Sequence, residues 1–102
     1  NFFPGTGSAE EVGTGSGRGF NVNVPWQQAG LGDADYVTAF ELVVLPILRE
    51  FDPEIIFVSA GFDAAAGDLQ GRMQVSPSCF ARMTRMLLAV GSGRLAMLLE
   101  GG

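Results

Sequence analysis

Histidine is absent from this 102-residue chain, and lysine is absent too, all six basic residues being arginine. Without histidine, both the commonest general base and the commonest zinc ligand are missing. Any hydrolytic site must therefore rest on carboxylates or be completed by residues elsewhere. Six arginines against eleven acidic residues give a net charge of −5. The arginines are scattered, so neither total charge nor a local patch favours nucleic acid. The single cysteine, Cys79, excludes an internal disulfide and fits a reducing compartment. No apolar run approaches the roughly 20 residues that a membrane-crossing helix needs. Charged residues make up only 17% of the chain against 47% hydrophobic, a balance expected where other protein covers much of the surface. The length allows one domain at most. The opening "NFFPGTG", with no methionine or leader, and the closing "LLEGG" read as the ends of a piece of something larger.

The residues that are present fall into an ordered pattern. Residues 1 to 19 hold six glycines and Pro4, a loop composition. "GFNVNVP" (19 to 25) alternates Phe20, Val22 and Val24 with Asn21 and Asn23, the signature of a short strand ended by Pro25. "WQQAGLG" is a connector. Asp33 or Asp35 then supplies an N-cap for a helix over about 33 to 51. Tyr36, Phe40, Val43, Val44, Ile47, Leu48 and Phe51 line one face of it. Val37, Leu42 and Leu45 widen that face, so cover on more than one side is expected. Pro46 should kink the helix or mark its final turns, and Asp52-Pro53 stops it. "EIIFVSA" (54 to 60) has the length and continuous apolarity of a parallel strand buried on both faces. Ser76-Pro77 starts a helix reaching about 90, with Phe80, Met83, Leu87 and Val90 on one face, and Gly91 and Gly93 end it. "RLAMLLE" (94 to 100) is a third strand. The order β-α-β-α-β predicts an α/β fold with a parallel sheet. In such sheets ligands bind outside the carboxyl ends of the strands, where Asp63 and Gly101-Gly102 fall.

Within "VSAGFDAAAGD" (58 to 68), Asp63 has two readings. It is a turn residue capping backbone N–H groups, or a metal ligand, with Gly61 allowing close approach and Ala64 to Ala66 leaving space. One carboxylate alone does not make a catalytic zinc site, which takes about three protein ligands. Asp68 reads as a loop cap. "GTGSGRG" fails the phosphate-loop spacing and precedes a strand, so it reads as surface loop. Cys79, near a helix start but without a histidine partner, reads as a buried structural thiol. Met83, Met86 and Met97 read as core filling. Phe2-Phe3-Pro4 is a small hydrophobic anchor or a cleft wall.

"FFPGTG", "GFNVNVPW", "GDADY", "FDPEIIFVSAGFDAAAGD" and "LLEGG" together resemble, in order and over the whole chain, the zinc-dependent histone deacetylases, class II and nearest the class IIb type. The resemblance implies a three-layer arginase/deacetylase-like fold, of which residues 1–102 are a C-terminal-side, incomplete part of the catalytic domain. It implies that Asp63 is a carboxylate ligand of the catalytic Zn2+. Phe3, with its neighbour Phe2, matches an aromatic wall of the acetyl-lysine tunnel. Phe20 stands where the family offers a backbone carbonyl to a structural K+. Gln70 falls at the tunnel rim, where glutamate accompanies polyamine preference in one branch, so glutamine disfavours that specificity. Gly101 and Gly102 precede the position of a catalytic tyrosine, histidine in class IIa. That residue, the general-base histidine and the Asp-x-His pair match nothing within these 102 residues.

The function so implied is hydrolysis of N-ε-acetyl-lysine in histones or other proteins by the full-length parent, the segment alone being inactive. Acetylated proteins and corepressor complexes are the expected partners, with no nucleic acid and no membrane, in the cytoplasm, the nucleus or both. Two alternatives remain open at this point. One is a non-catalytic deacetylase-like scaffold, and the other a related α/β metal-dependent amidohydrolase.

Overall fold

Ser76 and Asp33 explain how the two helical layers are joined in the computed structural model, which describes residues 4–102. Helix α3 (Pro77–Val90) has Ser76 as N-cap, whose hydroxyl accepts the Cys79 N–H at 3.2 Å, with Pro77 at the first helical position. The Asp33 carboxylate accepts both the Ser76 N–H at 2.7 Å and the Ser76 hydroxyl at 2.6 Å. Asp33 is also the first residue of α1 (Asp33–Ala39). One carboxylate therefore stands at the positive ends of two helix dipoles. The N-cap of α1 is Gly32, and Asp35 returns a bond to it, accepting the Gly32 N–H at 2.9 Å. The sequence placed the cap on Asp33 or Asp35 themselves. Asp33 instead serves a partner 43 residues away, which local pattern could not show.

The Ser76 hydroxyl, and then the Ser76 N–H, hold the Asp33 carboxyl below its ordinary value of 3.8, against a smaller opposing effect of burial. A carboxyl depressed in the folded state contributes stability that is present above the unfolded pKa and lost as pH falls through the folded one. In the complete protein, wild type should lose thermal stability as pH drops below about 4. Asp33→Asn should be less stable at neutral pH and should show less of that acid-dependent loss. Parallel melting curves for the two proteins between pH 7 and pH 3 would contradict this role.

The long helix is continuous over 33 to 51 but changes pitch. Between α1 and α2 (Leu45–Phe51) lies a π-helical segment, Phe40–Val44, in which the Leu45 N–H reaches the Phe40 carbonyl. Pro46 follows at once. It lacks the N–H that an α-helix would direct to the fourth residue before it, and the wider turn accommodates its ring. Asp52 ends α2 in the left-handed region, φ 54°.

Strands β1 (Ile56–Ala60) and β2 (Leu95–Leu99) pair in parallel, Ile56 opposite Leu95 through Ala60 opposite Leu99, with α3 in the crossover. The sheet of the described residues has these two strands alone. The expected first strand does not form a ladder. Residues 21–26 run outside any strand, with no neighbouring strand to take their backbone groups. Their alternation is nevertheless used. The Asn21 and Asn23 amides bond to the Glu11 and Ser8 carbonyls at 2.6 and 2.8 Å. Phe20, Val22 and Val24 line an apolar cleft of about 770 Å³ against Val43, Val44, Ile47, Leu48 and Phe51.

The main buried cluster forms one seam, with Leu45, Ala60 and Leu87 buried outside it. Val37, Val75, Cys79 and Met83 are buried together, with Tyr36, Phe40, Ala64 and Phe80 packed around them. Val75 is fully buried. Its N–H donates to the Ala64 carbonyl at 3.0 Å and its carbonyl accepts the Ala66 N–H at 2.9 Å. Burying such a side chain contributes about 1.5–3 kcal/mol. Cys79 is the buried thiol the sequence indicated. Burial, and then the Asp33 charge, push it above its ordinary value. Elsewhere the expected cover is missing from this chain. Leu42 is 73% exposed, and Phe57 and Leu99 are 68% and 77% exposed. The strands are thus not buried on both faces here, and of the residues that widen the helix face Val37 and Leu45 are covered but Leu42 is not, because no described element packs there. Met97 is exposed as well, while Met83 is core.

Candidate functional site

The end of β1 delivers Asp63 to a groove of about 440 Å³ lined by Trp26 to Ala29, Tyr36, Asp63, Ala64 and Gln70 to Met73. Three structural features build this groove. First, the parallel ladder brings the two strand ends side by side, and the Glu100 N–H bonds to the Ala60 carbonyl at 3.1 Å just beyond them. The loops that follow are in contact. A Cβ on Gly102, whose φ is +81°, would lie 2.8 Å from the Phe62 nitrogen and 3.0 Å from the Gly61 Cα. Only glycine fits there. Second, the Asp63 carboxylate lies over Gly61, where a Cβ would stand 3.5 Å from Oδ1 and 3.7 Å from the Gly101 carbonyl oxygen.

Third, the rim is a turn built on Asp68. Its Oδ1 accepts the N–H groups of Gln70 at 2.9 Å and Gly71 at 2.8 Å, and its carbonyl accepts the Arg72 N–H at 3.3 Å. This is the loop-capping role that the sequence indicated for it. The rim is then sewn to the connector before α1. The Gly30 N–H donates to the Arg72 carbonyl at 2.8 Å and the Gln74 N–H to the Leu31 carbonyl at 2.8 Å. Gly71 presses on the Asp63 peptide so closely that a Cβ there would run into the Asp63 carbonyl oxygen.

The aspartates differ in what their carboxylates do. Those of Asp33, Asp35 and Asp68 each accept backbone N–H groups. The exposed Asp63 carboxylate accepts none among the described residues, so the bonds a turn-capping aspartate would make are not present at Asp63. Beside it, the Trp26 and Tyr36 rings lie 5.1 Å apart at 42°. Burial pushes the Tyr36 phenol up, the Trp26 indole acts in the opposite direction, and the Asp63 charge adds to the rise. The phenol is therefore a neutral hydrogen-bonding group at physiological pH. Phe62 turns away from the groove and packs edge-on against Phe80, 5.0 Å between centroids, which anchors the loop to α3.

Of the residues singled out by sequence, Asp63 and Gln70 share this groove, with Gly101 and Gly102 behind it. Phe20 lies apart, in the apolar cleft. Its carbonyl accepts no backbone bond among the described residues. Phe2 and Phe3 lie outside the described residues. Trp26 and Tyr36 lie within the landmarks "GFNVNVPW" and "GDADY", which give them no site role by themselves, and Gly71, Arg72 and Met73 carry no local signal beyond proximity to "GFDAAAGD". A divalent cation is a fitting partner for a carboxylate oxygen free of backbone bonds, and Asp63 would supply one ligand. No group of three or more Cys, Asp or Glu residues among the described ones is placed to hold a metal. No helix of the described residues is long and apolar enough to cross a membrane.

Comparison with known proteins places this geometry in a family. The family model for the histone deacetylase domain matches residues 1–102. Human polyamine deacetylase HDAC10 is 54% identical over 94 residues, 92% of this chain and 14% of the relative. Histone deacetylase 15 of Arabidopsis thaliana is 52% identical over 102 residues, all of this chain and 18% of the relative. The crystal structure of the HDA15 HD domain superposes with a TM-score of 0.96 at 52% identity, over 100% of this chain and 29% of that one. The structure of the histone deacetylase Clr3 gives 0.95 at 50%, over 99% and 17%. The chain belongs to the histone deacetylase family, and the relatives it matches are class II members. Its fold is part of the α/β deacetylase domain. It spans less than a fifth of the length of these curated relatives.

Proposed function

We propose that the protein carrying this chain is a zinc-dependent lysine deacetylase that hydrolyses N-ε-acetyl-lysine in histones or other proteins. The observation that carries the reading is the Asp63 carboxylate, free of backbone bonds among the described residues, at the carboxyl end of a parallel strand in a deacetylase-family chain. Asp63 is one anionic ligand of the zinc. When bound, such an ion polarises a carbonyl and lowers the pKa of coordinated water. The chain's own contribution is positional. Gly102 and Gly61 hold the two strand-end loops together, Gly71 fixes the Asp63 peptide, and Gln70 sits at the rim. By the family resemblance, Phe3, with its neighbour Phe2, is assigned to acyl-lysine binding, and the Phe20 carbonyl to a structural potassium ion. The general base and the oxyanion-stabilising tyrosine or histidine come from sequence outside residues 1–102, the chain being the C-terminal-side part of the catalytic domain. Acetylated protein tails and corepressor complexes are the partners, in cytoplasm or nucleus. A polyamine substrate, named for the human relative, is disfavoured, because neutral Gln70 stands where that branch has a glutamate to attract a cation.

The coding sequence flanking this chain should specify paired histidines and Asp-x-His upstream, and tyrosine or histidine directly after Gly102. The complete protein should release acetate from acetyl-lysine peptides and stop when zinc is chelated, while residues 1–102 alone should be inactive. Turnover by the isolated chain, or none by the complete protein, would remove this reading.

A further inference from the structure

Among the described residues, Arg72 is the one cation lining the Asp63 groove. It is exposed and pairs with no carboxylate among the described residues, where the sole ion pair is Arg82–Glu41 at 3.6 Å. Two hydrogen bonds hold its backbone in an uncommon conformation. The Asp68 carbonyl takes its N–H, its own carbonyl takes the Gly30 N–H, and its φ of 57° is a left-handed value that arginine adopts reluctantly. Such an outlier persists only where its surroundings over-determine it. Gly71 next to it packs directly against the Asp63 peptide, so the Arg72 backbone is anchored beside Asp63. Among the described residues, the groove's only other charged one is Asp63, which the proposed function commits to the metal.

We infer that Arg72 is a specificity-determining residue that selects acetyl-lysine substrates bearing a carboxylate close to the modified lysine. The inference rests on the deacetylase reading and adds the flanking chemistry of the substrate. A guanidinium carried on an anchored backbone offers a carboxylate two parallel N–H donors. The carboxylate could be an Asp or Glu side chain or the α-carboxylate of a C-terminal acetyl-lysine, and a test separates these sources.

The complete enzyme would be assayed at low salt on acetyl-lysine peptides carrying Asp or Asn beside the acetyl-lysine. A second pair would end in acetyl-lysine, as free acid or as amide. Wild type should favour the acidic member of at least one pair by about threefold to fivefold in kcat/KM, the size an exposed ion pair supplies. Which pair responds identifies the source. Arg72→Gln, which keeps a polar side chain, should bring the acidic-to-neutral ratio of kcat/KM to about one, Arg72→Lys should restore part of the preference, and added salt should weaken it. An enzyme that turns over the neutral peptides but shows no acidic preference, or keeps it in Arg72→Gln, would overturn the assignment of Arg72 and leave the deacetylase reading intact. An enzyme inactive on all four peptides would overturn both.

Discussion

Asp63→Asn in the complete enzyme is expected to lower zinc content and deacetylase turnover together while leaving the fold standing. Asparagine keeps the shape of the side chain but removes the charge that balances the cation, and it offers only one oxygen. Altering a residue that merely orients a ligand typically costs about 10–100-fold in metal affinity or activity, so losing a direct anionic ligand should exceed about 100-fold. Stability should hardly change, because the carboxylate is exposed and no described backbone N–H depends on it. The measurements are metal content after dialysis, kcat/KM on an acetyl-lysine peptide, and a melting curve of metal-free protein. Full zinc occupancy in the variant would count against the ligand assignment. A large fall in the stability of the metal-free form would show that Asp63 belongs to the fold instead.

Gly71→Ala is the second large effect, and it arises from sterics alone. The new methyl would meet the Asp63 carbonyl oxygen, with the carbonyl carbon 2.6 Å and the Ala64 nitrogen 3.4 Å away. Both are backbone atoms, so no side-chain rotation relieves the overlap, and either the rim turn or the Asp63 loop must shift. Overpacking of this kind costs about 1–3 kcal/mol of stability. The functional cost should be larger, since a misplacement of about 1 Å at a reacting centre reduces rate by roughly 100-fold. Gly67→Ala is the informative control. Gly67 lies in the same loop with φ +95°, but a Cβ there meets nothing within 4 Å. It should lose about 1–2 kcal/mol through the backbone and retain near-normal turnover. Equal activity losses in the two variants would mean that loop strain, and not the contact between Gly71 and Asp63, decides the geometry of the site.

Much of the architecture was legible because it is written in short-range pattern. The apolar run ending at Ala60, the Ser76-Pro77 helix start, the glycine stop at Gly91 and the Leu95–Leu99 strand all appear where pattern and turn chemistry place them. Asp68 and Cys79 also behave as their settings indicate. The expectations that failed each depended on a neighbour. Phe20 to Val24 alternate like a strand, but a strand exists only where another strand takes its hydrogen bonds. The continuous apolarity of "EIIFVSA" anticipates cover on two faces, and this chain provides less. Asp33 has the composition of a cap and spends its carboxylate on Ser76, 43 positions away.

For the site, local sequence determined that an aspartate and a pair of glycines would follow two strand ends, because periodicity and turn residues act over a few bonds. The quoted motifs, as whole strings, also determined the family. Tertiary structure alone decided that Trp26, Tyr36 and Arg72 would surround Asp63, and that Gly71 would press on its peptide. Trp26 and Tyr36 reach it from segments tens of residues away, while Gly71 and Arg72 reach it through a turn folded back on the same loop. In both cases the excluded volume of one backbone limits another in a way that local periodicity does not encode.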